Sequence, residues 1–299
     1  MPRHNLTQAG NSLLVNRQTD NVIMPENSGT LYVVATPIGH LDDLTRRAEN
    51  VLRQVPIIAA EDTRRTSGLL AHIGHTAPYL VALHDHNEEK QTSYLMDRLL
   101  SGQDIALVSD AGTPLINDPG FKLVQAAQQQ GIRRVPIPGC SSIVAALSVC
   151  PLPCQSFTYL GFVPAKQQAR KTFLDNALQL PQALVMFEVP HRIVHTLEYL
   201  DQVTPRRMML ARELTKQFET LYVGSAAEIA AELGSTPRGE MVLIVEATSV
   251  NPVSLSADHV LKVLLKEMPP SKAAKLAAGL LGEKRQAMYD RAQQFVRSD

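Results

Sequence analysis

The chain has 299 residues, 29 Lys and Arg against 29 Asp and Glu, and a pI near 7.1. With 44% hydrophobic and 19% charged residues it is composed like a soluble globular enzyme, long enough for two domains and an appendage. That balance argues against a protein that coats nucleic acid by charge alone, and no apolar run approaches the roughly 18 residues that cross a bilayer.

Residues 1–28 hold five Asn and no apolar segment of the kind a secretory signal needs, so they read as a disordered polar leader. Residues 29–150 alternate short apolar runs with amphipathic ones. The predicted strands are Leu31–Ala35, Ile57–Ala60, Tyr79–Leu83, Ile105–Val108 and Arg134–Ile137. Helical patterns lie between them at Leu44–Leu52, Thr66–Ile73, Thr92–Leu100 and Phe121–Gln129, with Asp42 and Asp43 placed to cap the first. This order predicts a doubly wound parallel sheet.

Pro151-Leu152-Pro153 fits neither a helix nor a central strand and marks a boundary. A second α/β domain over 151–250 carries strands at Phe157–Leu160, Ala183–Phe187, Met208–Ala211, Thr220–Val223 and Met241–Val245. Helical patterns fall at Gln167–Ala177, Ile193–Leu200 and Ala226–Leu233. No helix separates Met208–Ala211 from Thr220–Val223, so those two predict an antiparallel pair in a mixed sheet. Residues 251–299 form a small helical module with helices at Ala257–Glu267, Lys272–Leu281 and Lys284–Val296. They hold eight Lys or Arg against five Asp or Glu, a local surplus that points to RNA or to a solvated helical cap. Cys140, Cys150 and Cys154 are an odd number at no zinc-like spacing and read as free thiols of a reducing cytoplasm.

Three loops carry the chemistry. Ser109–Gly120 connects an apolar strand to a helix with twelve residues, where such connections usually run about 2 to 6. Gly112 and Gly120 permit close backbone approach, and Pro114 and Pro119 stiffen the loop. Thr36-Pro37-Ile38-Gly39 follows the first strand in place of a G-x-G-x-x-G fingerprint, and a Walker A loop is also absent. Pro136-Ile137-Pro138-Gly139-Cys140-Ser141-Ser142 opens a helix with hydroxyls and free backbone donors, which suits a polar or anionic group. Together they predict a ligand crevice at the carboxyl edge of one sheet. His84-Asp85-His86-Asn87-Glu88 lacks a third fixed ligand, so no metal is expected there.

Thr36–Leu41, Ala60–Arg64, Ser109–Gly120, Gly161–Pro164, Ala211–Lys216 and Gly239–Val242 occur in the order that resembles the tetrapyrrole methylase superfamily. Within it they are similar to the ribosomal RNA small subunit methyltransferase I branch, from about residue 29 to the C-terminus. The resemblance implies S-adenosylmethionine, bound folded between two α/β domains, usually in a homodimer. It implies 2′-O-methylation of a decoding-centre cytidine in 16S rRNA on the small ribosomal subunit, and a helix-turn-helix-like C-terminal module. Carried across, it puts Pro37 and Gly39 in a first cofactor loop. Asp110, Gly112, Thr113 and Ile116 fall in a second, and Ser141 and Ser142 in a third, with Leu214 closing from the second domain. Asp110 and Asp118 are expected mainly to hold loop shape. His40, where the branch usually has Asn, and Cys140, where Pro is common, are departures.

A ribose hydroxyl is a poor nucleophile and gains from a proton acceptor or an electrostatic stabiliser. Glu188 and Glu213 are the candidate bases, with Lys216 or Arg192 binding phosphate or stabilising charge. The alternative is that these charges form an interdomain salt-bridge network. Arg64, Arg65, Lys166, Arg170, Lys171, Arg192, Lys272 and Lys275 are the candidate RNA contacts, with no DNA or membrane partner expected. A small-molecule methylase acting on a tetrapyrrole and a catalytically silent ribosome-binding factor are the competing functions.

Overall fold

The computed structural model describes residues 27–76, 78–234, 237–248 and 257–298. The polar leader expected over 1–28 lies outside them, apart from Asn27 and Ser28. The chain divides into two compact units, one ending at Ser141 and the other beginning at Ser142.

In the first unit the strands are β1 (Thr30–Val34), β2 (Ile57–Ala60), β3 (Tyr79–Ala82), β4 (Ile105–Val108) and β5 (Arg133–Ile137). They form one parallel sheet in the order β3-β2-β4-β1-β5. The connecting helices are α1 (Arg46–Gln54), α2 (Thr63–His72), α3 (Glu88–Leu100) and α4 (Phe121–Gln129). Right-handed crossovers fix their faces. Ala48 and Leu52 of α1 and Leu69 and Leu70 of α2 pack with Val34, Ile58, Ala106 and Val108. Leu95 and Leu99 of α3 and Leu123 and Ala127 of α4 pack with Leu31, Ala59, Val81, Ile105 and Leu107. Both faces are thereby covered, which is why β2 and β4 are apolar at every position.

The cap of α1 differs from the expectation. Leu41–Asp43 form a 3-10 turn, and Thr45 accepts the amide of Ala48 instead. A turn of three residues consumes Asp42 and Asp43 before the helix begins.

The second unit opens with α5 (Ser142–Ser148) and holds β6 (Phe157–Phe162), α6 (Gln167–Ala177), β7 (Ala183–Glu188) and α7 (Pro190–Val203). Then come β8 (Met208–Arg212), β9 (Thr220–Gly224), α8 (Ala226–Leu233) and β10 (Met241–Val245). The sheet order is β6-β7-β10-β8-β9, with β6 and β7 parallel and the other pairs antiparallel. The mixed sheet and the antiparallel β8–β9 pair are those the sequence predicts. Leu174 (α6), Leu197 (α7) and Ile229 (α8) cover one face through Leu184, Met186, Leu210 and Leu243. The tail helices α9 (Ala257–Glu267), α10 (Pro270–Leu281) and α11 (Arg285–Ser298) have a core of Val260, Leu261, Met288 and four alanines of α10. Small side chains along α10 let its neighbours approach closely.

Candidate active site

β1 and β4 are neighbours, yet their chains leave to opposite faces: α1 packs on one side of the sheet and α4 on the other. The carboxyl ends of two such strands splay and leave a crevice, the position at which open α/β sheets hold ligands. Both unusual loops sit there. Thr36 and Gly112 exchange two backbone hydrogen bonds, Thr36 N to Gly112 O at 2.9 Å and Gly112 N to Thr36 O at 3.0 Å. The Thr113 hydroxyl donates to Cys140 O at 3.0 Å. The loops after β1, β4 and β5 are therefore one tied assembly.

Small residues make that closure possible. Gly112 has φ +83°, and a Cβ there would lie 3.4 Å from the Ile38 side chain. A Cβ on Gly139 would lie 3.1 Å from that of Ala35. Pro37 is buried and Thr113, Ser141 and Ser142 are half-buried, while Gly39 and Ile116 face solvent. The long loop also holds two non-glycine residues in the left-handed region, Leu115 at φ +75° and Asn117 at φ +67°. Such strain persists only where surroundings over-determine it, and it gathers at functional loops.

Asp110 is tied to the loop after β2. Its carboxylate accepts the amide of Asp62 at 2.9 Å and lies 3.4 Å from Arg65 Nε, while its own amide donates to Glu61. Burial, and then the charges of Glu61 and Asp110 against a hydrogen bond from Ser109, push Asp118 up to about 6. Burial likewise raises Glu61. Glu88 reaches across to accept the amides of Gly120 (2.9 Å) and Lys122 (3.0 Å), capping α4 from outside its own sequence. In the His84–Glu88 segment, Asn87 accepts the His84 amide, so the run closes on itself as a turn.

In the second unit, Glu188 is 2% exposed and fully engaged. Its carboxylate accepts from Val189 N at 2.8 Å, Arg192 Nε at 3.0 Å and Nη2 at 2.9 Å, and the Thr196 hydroxyl at 2.7 Å. Glu188 and Arg192 thus form an ion pair within the second unit. Glu213 and Lys216 sit in the β8–β9 loop beside Leu214, which is buried. Glu213 accepts from Lys216 Nζ at 3.0 Å and from Glu240 N at 2.9 Å, and Lys216 also pairs with Glu240 at 3.1 Å. Burial works against both charges, but the Glu240 amide and Lys216 hold Glu213 below the usual carboxylate range. Glu213 and Glu240 likewise hold Lys216 above the usual lysine value. Glu213 (φ +52°) and Thr215 (φ +63°) repeat the left-handed strain, and a Cβ on Gly239 would meet Glu213 Cγ at 2.3 Å.

The expected RNA contacts scatter. Arg64 forks onto Asp62, the α2 cap, which this holds down to about 2. Lys166 caps α6 without a side-chain bond, Arg170 is buried, and Lys171 lies 5.2 Å from the Tyr199 ring. Lys272 and Lys275 are on the exposed face of α10. Among the described residues no helix is long and apolar enough to cross a membrane, and no metal-binding cluster of His, Cys, Asp and Glu occurs.

A family profile described as Tetrapyrrole (Corrin/Porphyrin) Methylases matches residues 30–230, and one described as the RsmI C-terminal HTH domain matches 251–294. The chain is 47% identical over 268 residues to ribosomal RNA small subunit methyltransferase I of Xylella fastidiosa, covering 87% of this chain and 98% of that one. The chain belongs to the ribosomal RNA small subunit methyltransferase I family. The Escherichia coli O157:H7 member of that family is 47% identical over 270 residues, covering 88% and 94%. Uroporphyrin-III C-methyltransferase of Thermus thermophilus, solved with S-adenyl homocysteine, shares the fold at a TM-score of 0.51 and 18% identity, covering 72% and 97%. For this methyltransferase family member, the motif blocks mark the loops but not what supports them. Glu88, Gly239 and Glu240 escaped sequence reading. Gly239 and Glu240 stand in a quoted block, whereas Glu88 carries no local signal because its partners lie 32 and 34 residues away.

Proposed function

We propose that the chain transfers a methyl group from S-adenosylmethionine to the ribose 2′-oxygen of a decoding-centre cytidine in 16S rRNA on the small ribosomal subunit. It acts in the cytoplasm as a homodimer. The observation that carries this reading is near-end-to-end identity of 47% to ribosomal RNA small subunit methyltransferases I.

The tied loops of the first unit fit such a cofactor: buried Pro37 and Gly112 and half-buried Thr113 and Ser141 offer backbone and hydroxyl groups where bulkier residues would fill the space. Pro37, Gly39, Asp110, Gly112, Thr113, Ile116, Ser141, Ser142 and Leu214 remain the proposed cofactor residues, with Asp110 acting through loop shape. When bound, the cofactor supplies an electrophilic methyl carbon on a sulfonium, and the protein's task is to position and to exclude water.

Among the charged candidates, Lys216 is the strongest. An ammonium held protonated by Glu213 and Glu240 stabilises negative charge that grows on the attacking ribose oxygen. Glu213, kept ionised, orients it. Glu188 serves by fixing Arg192.

Incubation with tritiated S-adenosylmethionine and small subunits lacking the modification tests the reading. Label on one cytidine 2′-oxygen of 16S rRNA is expected. Cofactor binding without incorporation overturns the substrate, and label on a base atom overturns the 2′-O assignment. Light scattering at micromolar concentration tests the homodimer.

A further inference from the structure

We propose that the cavity between α6 and α7 docks a phosphodiester of the RNA substrate; this rests on the RNA-methylating reading above. The cavity has a volume of about 370 Å³, enough for a phosphate with its attached sugar, and is lined by Gln167, Arg170, Lys171, His195, Glu198 and Tyr199, among others.

Its defining feature is an arginine without an acidic partner among the described residues. Arg170 is 8% exposed, and its guanidinium makes one hydrogen bond, to Ala165 O at 3.4 Å. Among the described residues no carboxylate pairs with it. Glu198, the one acid in the lining, is 3.2 Å from His195 Nδ1. Asp175, near the opposite end of Tyr199, accepts the Tyr199 hydroxyl at 2.6 Å. The guanidinium lines the cavity with donors that no carboxylate of the described residues takes up, so they are open to a ligand. Its planar fork matches two oxygens of a phosphate.

Two further positive sources meet at the same place. Lys171 lines the cavity with its ammonium beside the Tyr199 ring. The N-terminus of the 11-residue α6, capped by Lys166 without a side-chain acceptor, begins at Gln167 in the cavity wall. Its first-turn amides and dipole favour an anion. A guanidinium, an ammonium and a helix start around a sugar-sized space make a phosphodiester the best match.

The test uses the full chain and unmodified small subunits, with binding measured across a salt series. Arg170→Met and Lys171→Gln should each weaken binding about tenfold and reduce the slope of log K against log salt by about 1. Lys122→Gln, a lysine paired with Glu89 on the first unit, should bind as the parent does. Arg170→Met should melt as the parent does, because the guanidinium makes a single long hydrogen bond, to Ala165 O at 3.4 Å. Parent-like affinity and slope in both cavity variants would overturn the proposal. So would an Arg170→Met protein that melts lower while binding normally, since Arg170 would then be structural. Methyl incorporation by the parent protein is measured alongside. Its absence defeats the functional reading, whereas its presence with unchanged variants defeats only the cavity.

Discussion

Glu188 shows how little a residue's type says about its role. The sequence offers an acid after an apolar strand, and only the fold reveals that Arg192, Thr196 and a backbone amide already occupy it. Glu188→Ala leaves half-buried Arg192 without its partner and should cost about 3 kcal/mol in urea denaturation. Asp118 carries the pH signature. A carboxyl raised to about 6 by burial contributes stability that is complete below its unfolded value and is lost as pH rises through about 6. Asp118→Asn should therefore melt above the parent at pH 8, and its melting temperature should change less between pH 5 and 7. Calorimetry across that range checks both. Gly239→Ala drives a methyl into Glu213 at a φ of +92° and should lower methyl transfer at least tenfold by displacing Lys216, with cofactor affinity retained. Left-handed Leu115, Asn117, Glu213 and Thr215 were not legible, because only glycine advertises that conformation in a sequence.

At the scale of elements, periodicity located the strands and helices but not their ends. α1 begins after a 3-10 turn that uses both expected capping acids, and α2 begins at Thr63 because Asp62 caps it. α4 starts at Gly120, which has no capping side chain; Glu88 of α3 supplies the missing acceptor. Glu88→Ala should cost about 1 kcal/mol and speed hydrogen exchange at the first-turn amides of α4, as loss of an N-cap does. Exchange rates unchanged at Gly120 and Lys122 would show that the cap is not used in solution.

At the scale of the whole molecule, the alternation of elements in the first unit required a parallel sheet but left strand order open. The insertion of β4 between β2 and β1 sends α1 and α4 to opposite faces, and that reversal makes a crevice of two otherwise ordinary strand ends. By itself the sequence determined the fold class, the mixed second sheet, the position of the long strand-end loops and the family, because each is written in periodicity or in contiguous motifs. Tertiary structure alone decided which charges are spent on the fold and which are left over. Glu188 and Asp110 are consumed by partners, while Arg170 meets no carboxylate among the described residues and bonds only to Ala165 O. The reason is physical: local propensity is set by neighbours along the chain, but the cost of a charge is set by the groups that surround it in space.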